Sequence, residues 1–293
     1  MTELTIFHAG SLTELLQTAA SQFQQKRSDV HIRLEGSGAR QAVYKVIRQR
    51  RPCDIVASAD FQLIEDLMKP EHAEFNIVFA GNRLGLSFTP GSRFAGEIDS
   101  RNWPEILLRD GVTYGHTDPE QDPAGYRARL CWQLAELYYK KPGLYRALTE
   151  KMKPEHILVE RTTVRNKILS GELDYFFGYE SSARKNGYQF VRLSPALDFS
   201  SGEYAAYYRQ AELQLSGKQA GSTLLVTGMP IQYSLALVKE APARSVAVEF
   251  LAQLLAGGAP LVQQAALIPL PPRLLMDEPA CLPEMLRPFF TSR

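Results

Sequence analysis

The stretch LTIFHAGSLTELLQTAASQF (Leu4–Phe23) indicates the fold class, because its hydrophobic periodicity changes from that of a strand to that of a helix. The run Leu4–Phe7 is typical of a strand, and the small residues of the next segment, His8–Ser11, are typical of a turn. Apolar residues then recur from Leu12 to Phe23 at the three- and four-residue spacing of a helix with one buried face. The stretch therefore predicts one strand-turn-helix unit of an α/β protein.

The same alternation continues along the chain. The further predicted strands are Val30–Leu34, Asp54–Ala57, Ile77–Phe79, Leu84–Phe88, Val112–Gly115, Leu173–Tyr179 and Ile231–Val238. The further predicted helices are Ala42–Ile47, Leu63–Met68, one opened by Asn102, one from Pro123 past Leu137, and Val246–Leu254. Pro269–Pro272 predicts the start of an extended tail. This order favours mainly parallel α/β sheets, and a length of 293 residues suggests two lobes.

Composition and charge exclude several function classes. The chain is 45% hydrophobic and 22% charged, which is ordinary for a folded protein. It has 33 Lys and Arg against 32 Asp and Glu, so no net field attracts a nucleic acid. Its three cysteines, Cys53, Cys131 and Cys281, are far apart in sequence and are expected to be small buried hydrophobic residues.

Three predicted strand-to-helix turns carry small polar residues. They are His8–Ser11, Gly36–Ala39 and Asp122–Gly125. The first turn of a helix has unsatisfied N–H groups and a partial positive charge, so three such turns could converge on one anion. Ser and Asp are also preferred N-caps, and Pro is a preferred first helical residue. The residues alone leave both interpretations open, capping and anion binding.

Catalytic motifs are missing from the sequence. It contains no G-x-x-x-x-G-K-[ST], G-x-S-x-G or H-E-x-x-H, and its five histidines lie scattered. Ser11 with His8 is the one local pair that could supply a nucleophile and a base, and their spacing does not require them to meet. We therefore expect a protein that is not an enzyme. No basic helix-turn-helix segment occurs at either end, which argues against a DNA-binding regulator.

Several segments resemble the archaeal-type molybdate/tungstate-binding proteins, the solute-binding components of an ABC uptake system. The matching segments are FHAGSL (Phe7–Leu12), EGSGA (Glu35–Ala39), DIVASADFQLIEDLM (Asp54–Met68), NWPEILLRDGVTYGHTDPEQDPAGYR (Asn102–Arg127), GELDYFFGYESSA (Gly171–Ala183) and TGMPIQYSLAL (Thr227–Leu237). They occur in the family's order and span nearly the whole chain. The run from Asp122 to Arg127 is the most specific, since ordinary bacterial molybdate binders lack it.

The resemblance implies a type II, two-lobed periplasmic-binding-protein fold with the ligand in a cleft between two α/β lobes. Lobe I would comprise residues 1–83 and 228–293, and lobe II residues 84–227. Such proteins close around the ligand by a hinge motion. The binding residues that the resemblance implies are Gly10, Ser11, Ser37, Asp122, Pro123, Ala124, Tyr179 and Glu180.

The family also places two carboxylates against the Mo or W of the oxyanion. One matches Asp122. The other matches Gly178, which has no side chain, so six-coordination of the metal is in question. Glu180 lies two residues further and would share the face of Gly178 if the strand continued that far. Asp122 and Glu180 are therefore the two predicted ligands of the bound metal.

The expected function is capture of tungstate or molybdate and delivery to an ABC importer. The expected partners are the permease and the small oxyanion, without a cofactor, a nucleic acid or a second subunit. Sulfate, phosphate or an oxyanion-sensing role are the alternatives. The N-terminus shows no basic and apolar leader, so we expect either a cytoplasmic protein or a mature periplasmic or extracellular form. The resemblance favours the second, a form associated with the membrane through its transporter.

Overall fold

The computed structural model describes residues 1–159, 161–219, 221–276 and 282–290. The chain forms two compact units. The first comprises Met1–Gly81 and Gln232–Arg293, and the second comprises Asn82–Ile231. Each unit is built around its own β-sheet.

The regular elements alternate as the sequence predicts. The strands are β1 (Thr2–Ala9), β2 (Val30–Ser37), β3 (Ile55–Ser58), β4 (Phe75–Gly81), β5 (Leu84–Phe88), β6 (Tyr114–Thr117), β7 (Ile157–Leu158), β8 (Tyr175–Tyr179), β9 (Gln189–Arg192), β10 (Glu212–Ser216), β11 (Thr223–Thr227), β12 (Gln232–Leu237) and β13 (Ile268–Met276). The α-helices are α1 (Thr13–Lys26), α2 (Ala39–Ile47), α3 (Phe61–Leu63), α4 (Trp103–Leu108), α5 (Pro123–Tyr138), α6 (Leu144–Lys151), α7 (Arg161–Leu169), α8 (Glu180–Lys185), α9 (Ala205–Tyr208) and α10 (Arg244–Gln264). Short 3-10 turns occupy Gly10–Leu12, Pro154–His156, Gly202–Tyr204 and Glu284–Phe289, and a π-helical turn occupies Ile64–Met68.

The sheet of the first unit is mixed, in the order β13-β4-β12-β3-β1-β2. Strand β1 is parallel to β2 and β3, whereas β12 is antiparallel to β3 and β4, and β13 is antiparallel to β4. The expectation of a mainly parallel sheet is therefore wrong here. The chain leaves this unit at the end of β4 and enters it again through β12. These two neighbouring strands therefore run in opposite directions.

The predicted extended tail at Pro269–Pro272 is an edge strand. It belongs to β13, which pairs with β4 along most of its length. The register shifts between Pro269 and Arg273, because the prolines there have no N–H to donate to the ladder. The segment is extended, as predicted, but the sheet holds it.

The second unit has a five-stranded mixed sheet in the order β7-β6-β8-β5-β9, and a separate hairpin of β10 and β11. Strand β6 is parallel to β7 and β8, whereas β5 is antiparallel to β8 and β9. Strands β6 and β8 each begin two residues later than predicted. The hairpin was not predicted, although Glu212–Ser216 alternates polar and apolar residues.

Buried apolar side chains fill both units. In the first, Phe23 of α1 packs edge-on against Phe250 of α10, with ring centroids 5.5 Å apart. In the second, Trp132 of α5 packs against Phe177 of β8 at the same distance. Cys53 and Cys131 are buried and free, as predicted, and Cys281 lies outside the described residues.

Helix α10 is the one helix in the described part of the chain whose length and composition would suit a membrane span. Its residues Phe250, Leu251 and Leu254 are buried inside the first unit. Gly258 has non-helical backbone angles (φ 54°, ψ −149°) and breaks the helix. The burial is typical of a helix that packs in a protein core.

Candidate functional site

The turns after β1, β2 and β3 lie at one edge of the first unit's sheet, because these strands run parallel. The register pairs Ala9 with Ser37, so the segment Gly10–Ser11 begins beside Ser37. Three of the predicted binding residues, Gly10, Ser11 and Ser37, thus come together. Carboxyl ends of parallel strands are where open α/β sheets bind ligands.

Ser11 does not cap a helix. It lies inside the 3-10 turn Gly10–Leu12, and Leu12, without a side-chain cap, precedes α1. The hydroxyl of Tyr233, a fully buried residue of β12, donates a 3.0 Å hydrogen bond to Ser11 Oγ. A serine that accepts this bond keeps its own hydroxyl hydrogen for another acceptor.

Ser37 does not cap a helix either, because β2 continues through it and Gly38 occupies the cap position of α2. The capping interpretation is therefore wrong for both serines. Ser37 Oγ accepts a hydrogen bond from Lys45 Nζ at 3.2 Å. Its own hydroxyl makes only a long 3.3 Å bond to the carbonyl of Gly38.

Ser37 lies next to a charged cluster formed by Glu35, Lys45 and Arg51. Glu35 accepts two hydrogen bonds from the Arg51 guanidinium, at 2.8 and 2.6 Å. Its carboxylate also forms an ion pair with Lys45 at 2.8 Å. Hydrogen bonds from Arg51, and to a lesser extent from Lys45, favour the charged carboxylate more than desolvation disfavours it. They lower the pKa of Glu35 to about 2. The cluster therefore holds two cations and one anion.

In the second unit, β6 and β8 run parallel, with Gly115 paired with Phe176. The turn that leads to Asp122 follows β6, and Glu180 follows β8 at the same edge of the sheet. The topology thus brings the predicted residues Asp122 and Tyr179 to one edge, by the same rule as in the first unit.

Asp122 is the N-cap of α5, so the capping interpretation is confirmed for this residue. Its Oδ1 accepts the N–H of Ala124 at 2.9 Å, and Pro123 occupies the first helical position. The Ala124 amide, expected to bind the oxyanion, thus donates to Asp122 in this structure. A carboxylate here also interacts favourably with the helix dipole.

The turn before α5 is packed so closely that only glycine fits at position 125. A Cβ there would lie 2.1 Å from the carbonyl oxygen of Thr117 and 2.8 Å from the nitrogen of Pro119. Real Cβ atoms do not approach backbone atoms so closely. Gly125 therefore allows the start of α5 to lie against the end of β6.

A buried arginine joins α5 to the end of β8. Arg127 is 2% exposed, and its Nη1 donates a 2.5 Å hydrogen bond to the hydroxyl of Tyr179, which is 3% exposed. The guanidinium carbon also lies 5.7 Å from the ring centroid of Tyr126. Arg127 was absent from the predicted binding residues. A charged residue on an otherwise apolar helix face was the available signal.

The expectation that Glu180 shares the strand face of Gly178 is wrong. Strand β8 ends at Tyr179, and Glu180 is the first residue of α8, where side-chain directions follow the helix. Its carboxylate forms ion pairs with three arginines, Arg83, Arg184 and Arg192. Burial alone would raise the pKa of Glu180, but the hydrogen bonds from Arg192 and Arg184 lower it below its usual range.

His116 is a buried titratable group on β6, the strand that precedes the Asp122 turn. Arg129 Nε donates to its Nε2 at 2.9 Å, so the ring proton is on Nδ1, which donates to the carbonyl of Thr117 at 2.7 Å. Desolvation lowers the pKa of His116 to about 4. The neutral ring therefore supports the end of β6.

The described residues contain no group of three or more His, Cys, Asp or Glu side chains placed to hold a metal ion. What the two edges offer is hydroxyl donors in the first unit, and in the second a carboxylate, Asp122, and a buried guanidinium, Arg127. The hydroxyl and guanidinium donors are suited to holding an anion.

Comparison with known proteins agrees with this chemistry. The bacterial extracellular solute-binding protein family matches residues 4–264. An uncharacterized solute-binding protein of Petrotoga mobilis is 38% identical over 249 residues, which cover 85% of this chain and 78% of the relative. The molybdate/tungstate-binding protein WtpA of Thermococcus kodakarensis is 36% identical over 281 residues, covering 87% of this chain and 78% of that protein.

Solved structures show the same fold. The Azotobacter vinelandii periplasmic molybdate-binding protein superposes with a TM-score of 0.60 at 18% identity, covering 90% of this chain and 97% of that one. The predicted α/β periplasmic-binding-protein fold is confirmed. The chain belongs to the bacterial extracellular solute-binding protein family, which is a class of binding proteins and not of enzymes.

Proposed function

We propose that this protein captures tungstate or molybdate and delivers it to an ABC importer. One observation carries the proposal: both candidate serines of the first unit accept a hydrogen bond from a buried donor, Tyr233 for Ser11 and Lys45 for Ser37. Each hydroxyl hydrogen is thereby directed to a further acceptor. An oxyanion is a strong acceptor. The names of relatives such as WtpA support this ligand class.

Each unit carries residues that we propose to bind the oxyanion, and we propose the two units to be the two lobes. Gly10, Ser11 and Ser37 contribute donors from the first unit. Asp122 and Tyr179 contribute from the second, where Pro123 and Ala124 form the first turn of α5 and the Ala124 amide holds Asp122. The oxyanion is cargo, and the proposal includes no cofactor. The protein would act as a monomer in the periplasm or outside the cell, where it meets its permease.

Asp122 needs a physical account, because a carboxylate and a dianion repel. Two like charges about 4 Å apart repel by about 4 kcal/mol at an effective dielectric constant of 20. We propose that Asp122 keeps its Oδ1 on the Ala124 amide and bonds the Mo or W centre through Oδ2, which turns the repulsion into coordination. The buried guanidinium of Arg127 adds a compensating charge.

Glu180 has a different place in the proposal. For Glu180 to bond the metal, its carboxylate would have to leave its arginine partners, each of which forms a charge-assisted pair. We therefore assign the metal bond to Asp122 alone. Glu180 orders the arginines that surround it.

Competition calorimetry tests the proposed ligand. Tungstate should bind at least about tenfold more tightly than sulfate, a difference of about 1.4 kcal/mol. Displacement of tungstate by sulfate at equal concentration would assign the site to another oxyanion. Phosphate is the second competitor, because it carries a proton at neutral pH and Asp122 could accept it.

A further inference from the structure

Lys45 is a buried cation beside one of the candidate serines, and it is not itself one of the proposed binding residues. We propose that Lys45 is a positioning residue for the oxyanion, which holds Ser37 so that its hydroxyl hydrogen faces the ligand. This inference rests on the proposed function, and it adds a residue that never has to touch the ligand.

The position of Lys45 follows from the fold. It lies in the last turn of α2, eight residues after Ser37, and the residue is 7% exposed. Its Nζ lies 5.4 Å from the ring centroid of Phe7 on β1. Lysine is almost never buried so deeply unless its charge is paired. The burial therefore has to be explained by its partners.

Pairing with Glu35 explains the burial only in part. Arg51 already forms two hydrogen bonds with the two oxygens of Glu35, which is the strongest geometry for such a pair. With Lys45 added, the cluster carries one positive charge more than it needs for neutrality. The ammonium uses a further hydrogen on Ser37 Oγ, at 3.2 Å.

The bond from Lys45 determines what Ser37 can donate. An ammonium group is a donor only, so Ser37 Oγ must be the acceptor and its hydroxyl hydrogen must point elsewhere. That hydrogen now makes a long 3.3 Å bond to the carbonyl of Gly38, well beyond the usual 2.7 to 2.8 Å for such bonds. A charged oxyanion oxygen is the better acceptor and would replace it.

A double-mutant cycle with tungstate as the probe tests the inference. Lys45→Met keeps the length of the side chain and removes both donor and charge, so the Kd for tungstate should rise about tenfold. In a Ser37→Ala background the same change should raise the Kd by less than about twofold, because the hydroxyl that Lys45 positions is gone.

Arg51→Met is the matched control. It removes the other cationic partner of Glu35 and leaves the bond from Lys45 to Ser37 in place, so its Kd for tungstate should stay within about twofold of the wild type. Thermal unfolding of each apo variant shows whether it folds. If Lys45→Met does not fold, Lys45→Gln takes its place, since it also lacks the charge and is less apolar.

Three results would overturn the inference. Unchanged tungstate affinity in Lys45→Met would remove any role for the residue in binding. Equal effects of Lys45→Met in the wild-type and Ser37→Ala backgrounds would show that it does not act through Ser37. Loss of affinity in Arg51→Met equal to that in Lys45→Met would assign the effect to the whole charged cluster. A wild-type protein that does not bind tungstate would instead overturn the proposed function, and this inference with it.

Discussion

The two units build their candidate edges from different chemistry. The first offers neutral hydroxyls, Ser11 and Ser37, each of which accepts a hydrogen bond from a buried donor. The second offers a carboxylate, Asp122, and a buried guanidinium, Arg127. Hydrogen-bond donors bind an oxyanion directly. A carboxylate can bind one only through the metal atom of the oxyanion or through a shared proton.

In the first unit the proposed binding residues are not helix caps, whereas in the second unit one residue has both roles. Ser11 and Ser37 cap no helix, so their hydroxyls are available for binding. Asp122 caps α5 and is also the proposed metal ligand, so any change there alters both. Substitutions in the two units test this contrast directly.

Gly125→Ala should have the largest effect, because the start of α5 lies in close contact with the backbone at the end of β6. The added Cβ would meet the carbonyl oxygen of Thr117 at 2.1 Å, and the turn would have to shift. We expect the free energy of unfolding to fall by about 3 kcal/mol. Trp103 and Trp132 both lie in the second unit, so denaturation followed by tryptophan fluorescence measures its unfolding.

Gly202→Ala is the matched control for that substitution. A Cβ at Gly202 would meet no atom within 4 Å, so the free energy of unfolding should change by less than about 0.5 kcal/mol. Equal effects of the two alanines would show that the close approach at Gly125 does not determine stability.

Acid should weaken the second unit through His116. Because the pKa of His116 is about 4 in the folded chain against an ordinary value of 6.5, the unfolded chain binds more protons between these values. Stability therefore falls as the pH drops below 6.5, by about 2 kcal/mol at pH 5. The ring of Trp132 lies 5.5 Å from that of His116, so its fluorescence reports the transition.

The same measurement on His116→Gln should show a smaller loss of stability between pH 7 and pH 5, since the titrating group is gone. His31→Gln changes an exposed histidine and should keep the wild-type slope. In the first unit the corresponding loss belongs to Glu35, and because its pKa is about 2 it begins only below pH 4.5. A wild-type slope in His116→Gln would assign the acid sensitivity to another group.

Ser11→Ala should weaken tungstate binding more than it destabilises the fold. A hydrogen bond to a charged partner contributes about 1.5 to 3 kcal/mol, so we expect a ten- to hundredfold rise in Kd by calorimetry. The free energy of unfolding of the apo protein should fall by only about 1 kcal/mol, because Ser11 caps no helix and the substitution removes one hydrogen bond from the buried Tyr233 hydroxyl. Normal binding with reduced stability would mean that the serine is structural after all.

Much of this contrast could be predicted from the sequence, because it depends on local patterns. The change of periodicity after Phe7 indicates β1 and α1, and the Asp122-Pro123 pair indicates the start of α5. Capping depends on residues within one turn, so the role of Asp122 as a cap was also predictable.

The parts that were missed depend on partners far away in the chain. Tyr233 reaches Ser11 across 222 positions, and Arg127 reaches Tyr179 across 52. No local periodicity encodes such pairs. Strand direction in β4 and β12 was missed for a related reason, because it depends on where the chain leaves one unit and returns. Glu180 was placed on the wrong face because the strand ends one residue before it.

Asp122→Asn is the smallest and most discriminating change, because asparagine caps a helix about as well as aspartate. The fold of the turn should therefore survive, and the lost charge tests the metal bond alone. If Asp122 bonds the metal, the Kd for tungstate should rise about tenfold, or about 1.4 kcal/mol. Tighter or unchanged binding would show that the carboxylate only caps α5 and repels the dianion.

Glu180→Gln is the matched control: it also neutralises one carboxylate of this unit, but that carboxylate is held by Arg83, Arg184 and Arg192. We expect its Kd to stay within about threefold of the wild type, because this carboxylate faces its three arginines and is not a proposed metal ligand. A loss in Glu180→Gln as large as that in Asp122→Asn would restore Glu180 as the second metal ligand, and the edge of the second unit would then bind the metal with two carboxylates.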